Sequence, residues 1–153
     1  MKLSTRLRYG TRAILELAKS SSGKPVPIQW IASKQNISPS YLEQLLARLR
    51  KAGIVKSLKG PGGGYTLAKK PEQISLLDIE LALEGNLSIV KCLDDLSYCD
   101  NIDYCIARTV WEKMRDMLVE FLEKQTIADI LEKEKELLKN KKNMRPRRVR
   151  RRK

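Results

Sequence analysis

The chain has 153 residues, 42% hydrophobic and 32% charged, with 31 lysines and arginines against 18 aspartates and glutamates and no histidine. That length suits one domain with small appendages, and no apolar run nears the roughly 20 residues that span a bilayer. With no histidine, no GxSxG elbow and no glycine run followed by Lys-Ser/Thr, the chain lacks the usual hydrolytic and phosphoryl-transfer machinery and is not read as an enzyme.

The net charge of +13 is unevenly spread. Residues 1–70 hold 14 basic residues against only Glu16 and Glu43, whereas residues 71–138 are acidic and residues 139–153 carry 10 basic residues and no acid. A basic half of this size is the footprint of a nucleic-acid binder. The opening MKLSTRLRYG has no apolar signal-peptide core, so a cytoplasmic location without membrane contact is expected. There the three cysteines are reduced thiols or ligands rather than disulfides.

In chain order, Ser4 opens an amphipathic helix with Leu7, Ala13, Ile14, Leu17 and Ala18 on one face and Arg6, Arg8 and Arg12 largely outside it. Ser20-Ser21-Ser22-Gly23 ends it, and Lys24-Pro25-Val26-Pro27 makes a stiff connector. Pro27 opens a short helix with Ile28, Ile31 and Ala32 inward, closed at Asn36. Ser38-Pro39 then starts a third helix, a side-chain cap followed by a residue whose missing N–H is not needed in the first turn. Leu42, Leu45, Leu46 and Leu49 form its buried face; Ser40, Glu43, Gln44, Ala47, Arg48 and Lys51 face outward. Gly53 ends it in a left-handed conformation.

Ile54–Leu58 and Tyr65–Ala68 are short β-compatible runs around Lys59-Gly60-Pro61-Gly62-Gly63-Gly64, which is too glycine-rich to pack a core. Two short helices, the second polar on its outer face, followed by a hairpin with a basic glycine-rich tip have the layout of a winged helix-turn-helix. The competing reading, a three-helix core domain without a ligand, leaves the glycine-rich tip unexplained.

After Pro71, Ser75-Leu76-Leu77-Asp78 is a capping box that starts a helix to about Leu83, stopped by Gly85. Residues 92–105, CLDDLSYCDNIDYC, form no regular element and contain all three cysteines and four aspartates. From Ile106 a strong helical period returns through Val110, Met114, Met117, Leu118, Phe121 and Leu122, with Trp111 beside them. A head this small cannot cover that face, so it is read as a dimerisation helix, with intramolecular packing as the alternative. Thr126-Ile127-Ala128-Asp129 is a second capping box, opening a short acidic helix that frays across Glu132–Lys139. The tail NKKNMRPRRVRRRK has too few apolar residues to fold and is expected to be disordered.

Cys92, Cys99 and Cys105 are spaced C-x6-C-x5-C, unlike the paired CxxC spacing of structural zinc sites. Three incidental thiols are one reading. Their concentration in a polar loop, where cysteine has no packing reason to gather, favours an iron–sulfur cluster or another soft metal. Asp94, Asp95, Asp100 or Asp103, a partner side chain or a small exogenous ligand is each a candidate fourth donor.

Over roughly residues 1–135 the chain resembles the IscR-like family of bacterial winged helix-turn-helix transcription regulators. MKLSTRLRYGTRAILELA, ISPSYLEQLLARLRKAGIV, KGPGGGYTL and the cysteine loop before a helix containing Trp111 carry the resemblance. It implies a homodimer on a double-stranded, pseudo-palindromic DNA operator and, in cluster-binding members, a 2Fe–2S centre held by three cysteines and a histidine. By position, Cys92, Cys99 and Cys105 match the three cysteine ligands, though the first interval is one residue longer than usual. Arg108 stands where the family has its histidine, and arginine stays protonated. The resemblance further implies that Ser40, Glu43 and Gln44 face bases, that Glu43 helps choose between operator classes, and that Lys59 enters the minor groove.

The expected fold is mainly α with a small β-hairpin wing. Its parts are a DNA-binding domain (1–70), a connecting helix and linker (71–91), the cysteine loop (92–105), dimerisation and C-terminal helices (106–138) and a disordered basic tail (139–153). The expected DNA-binding residues are Ser38, Ser40, Tyr41, Glu43, Gln44, Arg48, Lys59, Gly60, Pro61 and Gly62, with Lys2, Arg6, Arg8 and Arg12 as further phosphate contacts. The expected function is a transcription regulator whose operator choice is modulated by an iron–sulfur cluster. The alternative keeps the DNA binding and senses through thiol chemistry, zinc or a protein partner.

Overall fold

The computed structural model describes residues 3–20, 23–87 and 89–143. Lys2, Ser21, Ser22 and the tail after Asn143, all named above, lie outside the described residues. Helices α1 (Thr5–Lys19), α2 (Ile28–Gln35) and α3 (Pro39–Lys51) come first, then strands β1 (Val55–Leu58) and β2 (Gly64–Leu67). Helices α4 (Leu76–Glu84), α5 (Ile106–Lys124) and α6 (Ile127–Asn143) follow. The architecture is mainly helical with a two-stranded antiparallel wing, as the sequence predicts.

Local chemistry sets the helix ends. Ser4 Oγ accepts from the Leu7 amide at 2.9 Å and Ser38 Oγ from the Tyr41 amide at 3.2 Å, each satisfying an otherwise free N–H of a first turn. Asn36 closes α2 at φ 53°, ψ 51°, a left-handed conformation that asparagine tolerates. Gly53 turns the chain out of α3 at φ 70°.

Leu42, Leu45, Leu46 and Leu49 of α3 are at most 2% exposed and meet Ile14 of α1, Ile31 of α2, Ile54, and Ile79 and Leu83 of α4 in one core. Burying a leucine contributes about 1.5–3 kcal/mol, so α3 is anchored by its inner face and its polar face is left free. The wing pairs Val55 with Leu67 through to Leu58 with Gly64. Its root is tied to the start of α2, where Val26 and Tyr65 exchange two backbone hydrogen bonds of 2.9 Å.

The second half is stapled onto this core by its caps. Ser75 and Thr126 pair as an isolated antiparallel bridge; the Leu76 amide donates to Gln125 O and the Ile127 amide to Ile74 O, both at 2.9 Å. Ile74 and Ile127 are fully buried there. Helix α5 buries only Leu122 and leaves Ile106, Val110, Met117 and Phe121 exposed.

Helix α6 corrects the sequence reading. It does not fray across Glu132–Lys139 but runs unbroken to Asn143, so the first residues of the expected disordered tail are helical. Ile130 and Leu131 pack against the core, and Lys19 Nζ of α1 lies 2.7 Å from Glu134 Oε1. These partners come from residues more than a hundred positions apart, which local charge pattern does not register.

Candidate nucleic-acid interface and cysteine loop

The outer face of α3 presents Ser38, Ser40, Glu43, Gln44, Ala47 and Arg48 to solvent, and the wing tip presents Lys59, Gly60, Pro61 and Gly62. The tip is a tight turn in which the Gly63 amide donates to Gly60 O at 2.9 Å, with Gly60 at φ 100° and Gly62 at φ 75°. Side chains other than glycine rarely adopt those angles, so the glycines let the backbone form a thin, projecting edge. Glu43 of α3 and Lys59 of the wing line one open cleft of about 340 Å³, together with Gln29, Arg50 and Ser57. Arg50 Nη1 donates to Ser57 Oγ at 3.0 Å and fastens the end of α3 to β1. Recognition helix and wing tip are therefore two walls of a single surface.

Not every predicted side chain lies on that surface. Tyr41 is half-buried, its ring edge-on to Tyr9 with centroids 6.2 Å apart. Arg48 Nη1 donates to Leu83 O at 2.8 Å and joins α3 to the end of α4. Arg6 pairs with Glu84 at 2.9 Å. Arg12 donates to Gln35, whose amide donates in turn to Glu16 at 2.9 Å, and its guanidinium lies over Tyr9. Arg8 also lies over Tyr9, 5.9 Å from the ring centroid. Two residues that the sequence reading missed, Gln29 and Arg50, line the cleft. Arg50, two positions past Arg48 and therefore turned toward the wing, was the one with a visible signal.

The cysteine loop is held by two single-turn 3-10 helices, Lys91–Leu93 and Ile102–Tyr104. Cys92 is half-buried in the first, Cys99 is exposed, and Cys105 is half-buried at the residue that precedes α5. The donor chemistry suits a soft metal. The arrangement does not: among the described residues no three Cys, Asp or Glu side chains converge as a metal site. Asp95 is occupied locally, accepting from the Ser97 hydroxyl at 2.7 Å and the Ser97 amide at 2.9 Å, which together hold its carboxyl below the ordinary value of 3.8. Arg108, in the position of the expected histidine, has Nε 3.3 Å from Glu112 Oε1, within ion-pair distance but without hydrogen-bond alignment. No described helix is long and apolar enough to cross a membrane.

Comparison with known proteins agrees with this layout. The family profile of Rrf2, described as an iron-dependent transcriptional regulator, matches residues 3–133. The protein named rrf2 from Nitratidesulfovibrio vulgaris is 42% identical over 131 residues, covering 86% of this chain and 87% of its own length. The solved structure of T. potens IscR has a TM-score of 0.74 at 39% identity and covers 90% of each chain. CymR, the global cysteine regulator of B. subtilis, has a TM-score of 0.70 at 38% identity, covering 85% of this chain and 95% of that one. With a polar recognition helix and a basic wing on one surface and this likeness over nearly nine-tenths of its length, the chain belongs to the Rrf2 family of DNA-binding transcription regulators, which are not enzymes.

Proposed function

We propose that the chain works as a homodimer on a double-stranded operator and that the cysteine loop sets which operator it occupies. The observation that carries this reading is the single cleft walled by Glu43 on α3 and Lys59 on the wing. Gln44 presents an amide suited to a bidentate contact with adenine, and Glu43 accepts from the cytosine amino group or repels other edges, each good pair discriminating by about 1–3 kcal/mol. Ser38, Ser40, Lys59 and the backbone of Gly60–Gly62 supply sugar and phosphate contacts that set register rather than sequence.

The loop ends at Cys105, directly before the α5 stripe that a second copy would cover, so a change in the loop reaches the dimer helix without an intermediary. An iron–sulfur cluster on Cys92, Cys99 and Cys105 is the first reading of that loop, supported by three thiols in a polar segment and by the family's iron-dependent description. The thiols do not converge as the loop is folded here, and no step of DNA reading is assigned to a cluster. That lack of convergence, with Cys99 exposed, favours a second reading in which thiol oxidation is the signal.

One experiment separates them. Protein purified without oxygen, beside Cys92→Ala, is assayed for iron, sulfide and absorbance above about 350 nm, and for affinity to a duplex selected from a random pool. Cysteine-dependent iron with altered affinity supports the cluster; iron-free protein whose affinity follows thiol oxidation supports the second reading. Affinity indifferent to both sinks the sensory role, and failure to select any duplex sinks sequence-specific reading.

A further inference from the structure

A groove of about 900 Å³ opens between α1, α4 and the C-terminal half of α5. Its walls are largely apolar, including Leu7, Leu76, Leu118 and Phe121, yet Glu80 and Glu84 of α4 also line it. Glu80 is only 9% exposed. Its Oε2 and the Oε1 of Glu84 are buried and accept no hydrogen bond. Carboxylates in such surroundings are costly unless a cation meets them. Burial, with the Glu84 charge adding to it, holds the Glu80 carboxyl above its ordinary value of 4.5.

The cations nearest the groove are committed. Arg6 Nη1 donates to Glu84 Oε2 at 2.9 Å and leaves Oε1 open. Arg8 and Arg12 border the groove with their guanidiniums over Tyr9. The exposed stripe of α5 supplies another. Ile106, Val110, Met117 and Phe121 are 84%, 57%, 63% and 58% exposed, and Phe121 belongs to both stripe and groove. At 100° per residue Lys113 falls within that stripe, exposed and without a hydrogen-bond or ion-pair partner among the described residues.

We propose that a second copy of this chain seats its α5 against this groove and that the partner's Lys113 pairs with Glu80 and Glu84. The proposal rests on the homodimer reading and names the contact that locks it. A two-fold interface is self-complementary, and antiparallel helices crossing at Met117 set residue 113 of one copy opposite residue 121 of the other. Phe121 is where the groove begins, so the free ammonium meets the open oxygens of Glu80 and Glu84. Apolar residues of the two stripes close around the pair and exclude water, which strengthens it.

The test is the dimer dissociation constant, by analytical ultracentrifugation of the full chain, for parent, Lys113→Met, Glu80→Gln and the double variant. A stripe that is merely apolar predicts that Lys113→Met tightens the dimer. The proposed pairing predicts the opposite in the parent background, a loosening of about tenfold or more. In the Glu80→Gln background the same change has a much smaller effect or tightens the dimer. Lys113 is exposed, so its variant does not endanger folding; a circular-dichroism melt checks Glu80→Gln. Unchanged or tighter association of Lys113→Met in the parent background overturns the pairing while leaving the homodimer intact, and the groove then belongs to another cation. A parent chain that stays monomeric overturns the homodimer reading itself.

Discussion

Gly10 lies where α1 crosses α4, and a Cβ built on it would overlap Leu83 Cδ1, a side chain fully buried in the core. Gly10→Ala is expected to destabilise the chain by about 1 kcal/mol, an overpacking cost of about 1–3 kcal/mol being offset in part by alanine's better helix propensity, read as a lower urea midpoint at unchanged slope. Combined with Leu83→Ala, which empties the space the methyl needs, the cost becomes less than the sum of the two single changes. Arginines show the limit of residue-by-residue reading. Arg48 is outward-facing by helical phase, yet it donates to Leu83 O, 35 positions away. The exposure of Glu43, Gln44 and Lys59 was legible because they are polar residues at outward positions of strongly patterned elements. Glu80 was not, because its phase on α4 says nothing about which apolar walls surround it.

Among the elements, both capping boxes formed as their spacing predicts: Ser75 with Asp78, and Thr126 with Asp129. The Thr126 hydroxyl and then its amide, with Lys133 adding a smaller effect, hold the Asp129 carboxyl below the ordinary value of 3.8. A depressed carboxyl stabilises the fold above its unfolded value, and that contribution disappears as pH falls through the folded one. The start of α6 is therefore expected to loosen in acid, below about pH 4. Far-UV circular dichroism between neutral and acid pH measures this. Asp129→Asn should show a smaller acid loss than the parent, and Thr126→Val a melting point a few degrees lower at neutral pH. The length of α6 escaped sequence reading for a physical reason: its alternating charges resemble a fraying end, and the partners that hold it, Lys19 and the α1 core face, come from the start of the chain.

For the molecule as one body, the basic half and the acidic half separate by function. Residues 1–70 hold 14 basic residues against two acidic ones, and residues 71–138, with 7 basic against 16 acidic, form the second half of the fold. DNA affinity is expected to fall with salt, with a logarithmic slope of about 0.9 for every phosphate neutralised. Lys59→Ala should make that slope shallower by about one phosphate's share, whereas Gln44→Ala should leave it nearly unchanged and cost about 1–3 kcal/mol of discrimination at one base pair. Fluorescence anisotropy on a selected duplex over a salt series distinguishes the two.

Whatever depends on neighbours within a turn or two was set by the order of residues alone. That includes the caps at Ser4, Ser38, Ser75 and Thr126, the leucine face of α3, the glycine-rich wing and the polar reading face. Family likeness extended this to DNA-binding regulation. Which long-range partners meet was left to the packing of the folded chain. It paired the two capped turns at Ser75 and Thr126, tied Arg48 to α4, left the three thiols without convergence on one point and enclosed two carboxylates beside a bare apolar helix. Spacing encodes a helix face because the period is local, but the surface opposite that face is chosen by how all the elements pack together.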